Sequence, residues 1–182
     1  MKYNHIHILG ASGSGTTTLG KALEKEFGFV QLDTDDYYWE PTTPPYQKAR
    51  ERKERIELLI KDLKNHKKWV ITGSLCGWGD DIIPFFDLVV FLWVPTEIRI
   101  QRLEEREIKR FGQKVLSPNK QMHKQHRKFI EWASSYDTAG METRSKIKHK
   151  QWIKNNIKCH VLKYEGQIEL NKILKDLTNR CS

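Results

Sequence analysis

Nine consecutive residues near the N-terminus, Gly10, Ala11, Ser12, Gly13, Ser14, Gly15, Thr16, Thr17 and Thr18, mix glycine with hydroxyl side chains in a pattern suited to holding phosphate. Gly10 and Gly15 stand five apart and Thr17 follows two residues later, which is the Walker A spacing. Glycines permit backbone shapes that other residues resist, so successive amides can converge on phosphate oxygens. A helix starting behind them adds the favourable field of its N-terminus. Thr17 occupies the position whose hydroxyl ligates magnesium in such loops. ATP with Mg2+ is the ligand pair to expect, and the loop leaves the choice between ATP and GTP open.

The pattern breaks at Thr16, which stands where the motif carries a lysine that reaches the β- and γ-phosphates. Binding needs the amides and Thr17, but phosphoryl transfer also needs a cation to offset charge in the transition state. Lys21 lies about one helical turn beyond Thr17, which places it on the surface, away from the concave side of the loop. Arg102, Arg106 and Arg110 recur every four residues and so share one helical face. A guanidinium can fork onto phosphate oxygens. Glu105 and Glu107 allow the other view, a salt-bridged surface face.

These residues need a scaffold, and the hydrophobic pattern supplies one. Residues 3–9, 29–32, 69–72, 88–94 and 159–164 read as strands, of which 69–72 and 88–94 are continuous apolar runs that suit strands covered on both faces. Between them, residues 17–27, 50–65, 96–110, 120–136, 142–155 and 168–178 have helical spacing or helix-compatible composition. Residues 33–36 and the proline-containing stretch after them read as loop, and residues 111–119 break a helix. Strands alternating with helices predict right-handed crossovers and a parallel sheet with helices on both faces. The expected fold is a three-layer α/β/α P-loop domain with a five-stranded parallel sheet and a helical lid, spanning 1–182.

The glycine loop, Asp33-Thr34-Asp35 after the second strand, Thr72-Gly73-Ser74 after the third, the strand beginning at Asp87, and Arg102-Leu103-Glu104-Glu105-Arg106 together resemble the adenylate kinase-like family of small P-loop kinases. That family includes nucleoside monophosphate, shikimate and gluconate kinases, and the resemblance covers nearly the whole chain. It implies that Asp33 organises magnesium and that Asp35 orients the acceptor or takes its proton. It also implies an acceptor-binding region over 33–67, facing the loop after the third strand, with Arg50, Gly73 and Trp78 as contacts. A lid-like region over 106–145 would bring Arg106, Arg110 and Arg144 to the phosphates. Trp132, Tyr136 and Trp152 would anchor its helices. The lid carries no four-cysteine zinc site, and residues 113–136 depart from the nucleoside monophosphate kinase pattern.

Charge and composition bound the function further. The net charge is +9, and residues 101–160 carry 15 Lys/Arg against 6 Asp/Glu. Such a segment attracts phosphates, an anionic substrate or nucleic acid, the last being the least favoured because basic charge alone is unspecific. Cys76, Cys159 and Cys181 are widely spaced and suggest reduced thiols rather than a disulfide or zinc framework. No membrane-length apolar run or signal-peptide layout appears, so a cytoplasmic location is expected, as monomer or homodimer. Two function classes follow: an ATP- and Mg2+-dependent kinase acting on a small-molecule phosphoryl acceptor, or a nucleotide-binding regulator that uses the loop without chemistry.

Overall fold

In the computed structural model, which describes residues 2–43, 45–112 and 121–179, five parallel strands form one sheet. They are β1 (His5–Gly10), β2 (Val30–Asp33), β3 (Trp69–Thr72), β4 (Leu88–Trp93) and β5 (His160–Glu165), in the spatial order β2-β3-β1-β4-β5. The helices are α1 (Thr16–Phe27), α2 (Thr34–Tyr38), α3 (Arg52–Asn65), α4 (Thr96–Phe111), α5 (Gln121–Ser134), α6 (Lys146–Asn156) and α7 (Leu170–Asn179). Of the expected lid region 106–145, residues 113–120 lie outside the described residues, as does Cys181.

Strand alternation divides the core. Ile6, Ile8, Leu88 and Val90 turn to the face covered by Leu19 and Leu23 of α1 and Ile173, Leu174 and Leu177 of α7. Leu9, Ile71, Val89 and Phe91 turn to the opposite face, under Leu59 and Leu63 of α3 and Trp152 and Ile153 of α6. The central strands are apolar on both faces because both faces are roofed. The register aligns Ile8 with Thr72, Asp33 with Thr72, and Gly10 with Leu92, so β1, β2 and β3 end together at one sheet edge. The chain leaves β1 toward β3 and β2 on one side and later returns to β4 on the other, which opens a crevice at that edge.

Local chemistry explains where the elements depart from expectation. Residues 34–38 form a short helix rather than a loop, because the Asp33 carboxylate accepts from the Asp35 amide at 3.1 Å and caps it. Helix α3 begins at Arg52, not residue 50: the Arg50 amide donates to the Tyr38 carbonyl (2.8 Å) and Ala49 pairs with Trp39. Helix α6 begins at Lys146 because the Ser145 hydroxyl caps it, accepting from the Lys148 amide at 3.2 Å. A 3-10 segment, Asp80–Phe85, precedes β4 and was not anticipated by periodicity.

Candidate functional site

The glycine loop joins β1 to α1. Gly13 (φ 81°) and Gly15 (φ 95°) are both left-handed, and a Cβ on Gly13 would stand 2.6 Å from the Arg99 carbonyl. Glycine is required there by conformation and by space. Gly15 caps α1 without a side-chain hydrogen bond, so the first-turn amides of Thr16, Thr17 and Thr18 are presented to an anion rather than covered by a capping side chain. Ser14 Oγ is buried and finds no partner among the described residues.

Arg99, fully buried in α4, supports the loop from beneath. Its guanidinium donates to the carbonyls of Val94 (2.9 Å), Ala133 (3.0 Å) and Ser12 (3.4 Å), to Thr96 Oγ1 (2.8 Å) and to Asp137 (3.1 Å). Burial alone would raise the Asp137 carboxyl, but hydrogen bonds from Thr96, Trp93 and Arg99 outweigh it and hold the group below its ordinary range. The sequence reading missed this pair because 38 residues separate its members.

At the foot of the loop, Thr17 Oγ1 donates to the Asp33 carboxylate at 3.1 Å, and Thr72 donates to the same oxygen at 3.3 Å. Asp35 lies two residues beyond Asp33, on α2. Withdrawal from water and then the Asp33 charge raise its carboxyl, opposed by Arg144 and Arg106. Arg144, at the turn before α6, donates to Ser12 Oγ at 3.1 Å and stacks over Trp132 at 4.5 Å. Burial lowers its guanidinium, against the pull of Asp35. The open first turn of α1, the left-handed glycines and the Thr17–Asp33 pair fit a nucleotide triphosphate with magnesium, an ion that takes few protein ligands and completes its shell with phosphate and water.

One cavity of about 1460 Å³ connects these groups. All nine loop residues line it, as do Asp33, Asp35, Gly73, Trp78 and Arg144. Helix α4 turns Arg102, Arg106 and Arg110 to the same space; Arg102 donates to the Gly13 carbonyl (3.3 Å), and Arg106 pairs with Glu107 (3.6 Å). Lys21 is exposed on the outer side of α1.

Arg50, expected among the acceptor contacts, does not line the cavity. Its side chain is 11% exposed, and it donates to the Asp36 and Tyr37 carbonyls (3.2 and 2.6 Å) and to Glu54 (3.1 Å), fastening α2 to α3 outside the cavity. The expected Trp78 lines the cavity together with Tyr38, Trp39 and Tyr46, with Tyr38 backed by the Arg55 guanidinium at 3.7 Å. Trp132 lines the cavity, whereas Tyr136 and Trp152 are buried anchors, Trp152 donating to Asp80 at 2.7 Å. Also missed in sequence were His126 and residues 167–170, all lining the cavity. The available signal for 167–170 was a glycine, Gly166 (φ 99°), at the carboxyl end of a parallel strand.

Fold and site together define a small P-loop protein with a kinase-like nucleotide-binding architecture. Residues 6–125 match the AAA domain family AAA_18, and the chain belongs to that family. A Bacillus subtilis (strain 168) chain, uncharacterized protein YqaC, is 49% identical over 172 residues, covering 94% of this chain and 93% of that one. A cytidylate kinase from Archaeoglobus fulgidus is 28% identical over 113 residues, 56% of this chain and 61% of its own length. The crystal structure of shikimate kinase from Bacteroides thetaiotaomicron has a TM-score of 0.55 at 17% identity over 98% of both chains, a likeness of fold. Among the described residues, no helix is long and apolar enough to cross a membrane.

Proposed function

We propose that this chain is a magnesium-dependent kinase that transfers the γ-phosphoryl group of ATP to a small metabolite or nucleotide. The observation that carries this reading is the Thr17–Asp33 pair at the foot of the glycine loop, with Asp35 and Arg144 facing the same cavity. When bound, Mg·ATP supplies the transferable phosphoryl group and neutralises its charge. The loop amides and Thr17 hold the nucleotide, and Thr17 with Asp33 holds the metal. Asp35 orients the acceptor and takes its proton as the new bond forms. Arg106, Arg110 and Arg144 offset the charge that the missing lysine leaves unbalanced. Residues 33–67 supply the acceptor side through Asp35, Tyr38 and Trp39, and 106–145 the lid side. The kinase names of the relatives support a phosphotransferase.

The test is acceptor-dependent ADP formation against a panel of small hydroxyl compounds and nucleoside monophosphates. Asp35→Asn should lower kcat about a hundredfold or more with ATP binding retained. Turnover unchanged by Asp35→Asn would remove Asp35 from the chemistry.

The regulator reading is favoured by one observation, Thr16 at the lysine position. It requires ATP or ADP binding, no acceptor-dependent turnover with any compound of the panel, and no gain from Thr16→Lys.

A further inference from the structure

The wall of the cavity carries a hydrogen-bond chain that the proposed chemistry does not use. Ser74, just after β3, lines the cavity, and its Oγ meets His149 Nε2 of α6 at 2.9 Å. The other ring nitrogen, Nδ1, meets the Tyr136 hydroxyl at 2.9 Å. His149 is completely buried and Tyr136 is 3% exposed. The turn bearing Ser74 is fixed from two further sides. His7 Nε2 meets the Gly73 carbonyl at 3.1 Å, and Trp78 Nε1 donates to the Ser74 carbonyl at 2.9 Å. Gly73 (φ 107°) has no room for a Cβ, which would overlap Thr34 Oγ1.

A neutral imidazole has one donor and one acceptor, so the chain can run in only two directions. In one, Ser74 donates to Nε2 and Nδ1–H donates to the tyrosine oxygen. The Tyr136 hydrogen then has no acceptor among the described residues, in a buried setting, which is costly. In the other, Tyr136 donates to Nδ1 and Nε2–H donates to Ser74 Oγ. The ring and tyrosine hydrogens are then both satisfied, and the hydrogen left over is that of Ser74, which lines the cavity where Tyr136 does not. Burial, then the nearby Arg144 charge, keeps the ring neutral, as the two-way count requires.

We propose that the Tyr136–His149–Ser74 chain runs from tyrosine to serine and so fixes the Ser74 hydroxyl as a donor into the acceptor half of the cavity. Ser74 is then a specificity-determining contact for an acceptor molecule that presents an oxygen or nitrogen lone pair there, such as a carbonyl, carboxylate or phosphate oxygen. His149 and Tyr136 are positioning residues that act through it. Their place in the chain also ties α6, and the turn carrying Arg144, to the end of β3. The substrate-contact half of this proposal rests on the kinase reading, but the direction of the chain does not.

Two measurements test the two halves. In protein labelled with 15N-histidine, long-range 1H–15N spectra should show His149 as the neutral Nε2–H tautomer, unchanged between pH 5 and 8. In Tyr136→Phe an Nδ1 hydrogen would have no partner in the chain, so the Nε2–H form should persist there too. An Nδ1–H tautomer in the native chain, or a ring that titrates within that range, overturns the proposal whether or not the chain is a kinase. With any acceptor found by ADP-formation screening, Ser74→Ala should raise the KM for the acceptor about tenfold while leaving the KM for ATP unchanged, and Ser74→Thr should restore it. An unchanged acceptor KM, or an equal rise for both substrates, overturns the substrate contact. Failure of every acceptor in the screen refutes the contact together with the kinase reading, while the tautomer still decides the direction of the chain.

Discussion

Thr16 places a hydroxyl and a methyl group at a point where phosphate-binding loops gain most from a cation, while Thr17 beside it keeps its partner Asp33 at 3.1 Å. The two residues therefore predict opposite mutational outcomes. Thr17→Ala should abolish most of the magnesium-dependent part of ATP affinity, seen calorimetrically as similar binding with and without the metal. Thr16→Lys should tighten ATP binding about tenfold or more, since the new ammonium enters a partly desolvated site already shaped for phosphate. A lysine variant with weaker binding would mean that a guanidinium of α4 or Arg144 already fills that space.

Elements matter here as carriers of those side chains. Arg99 on α4 connects the glycine loop, the end of α5 and the 3-10 turn Ser135–Asp137 through one guanidinium. Removing its carboxylate partner leaves a fully buried cation short of its counter-charge. Asp137→Asn should cost about 2–3 kcal/mol in chemical denaturation, at or just below the bottom of the range of about 3–5 for broken buried pairs, because Asp137 itself is 23% exposed. The same variant should weaken ATP binding, because Ser12 loses part of its support. Loss of stability with unaltered ATP affinity would confine Arg99 to a packing role.

At the scale of the whole molecule, two buried histidines make the fold acid-sensitive. Burial holds His7 at about 4 and His149 at about 3, against about 6.5 in the unfolded chain. Between those values the unfolded state binds more protons than the folded one. Stability is therefore full above about pH 7 and falls as pH drops from about 6.5 toward 3, the His149 contribution being the last to go. Denaturant melts at pH 7.5, 6 and 4.5 should trace that decline. In His7→Phe or His149→Phe the slope should flatten, and a slope identical to that of the native chain would place the acid sensitivity elsewhere.

The sequence alone determined the glycine loop, the order of strands and helices, and the carboxylates after β2, because each is set by residues within a few positions of one another. Local spacing fixes a turn, a helical face or an apolar run, and those are the quantities a linear pattern contains. Tertiary structure decided which side chains share the cavity. Arg50 was expected to reach a ligand, yet packing of α2 on α3 fastens it to main-chain carbonyls, while Arg55 lies behind Tyr38. Ser74, Tyr136 and His149 had no sequence signal in common, being separated by as many as 75 residues. They meet because the crossover after β4 returns α6 to the sheet face that already carries the end of β3, and burial there forces polar groups to pair with whatever the fold brings near.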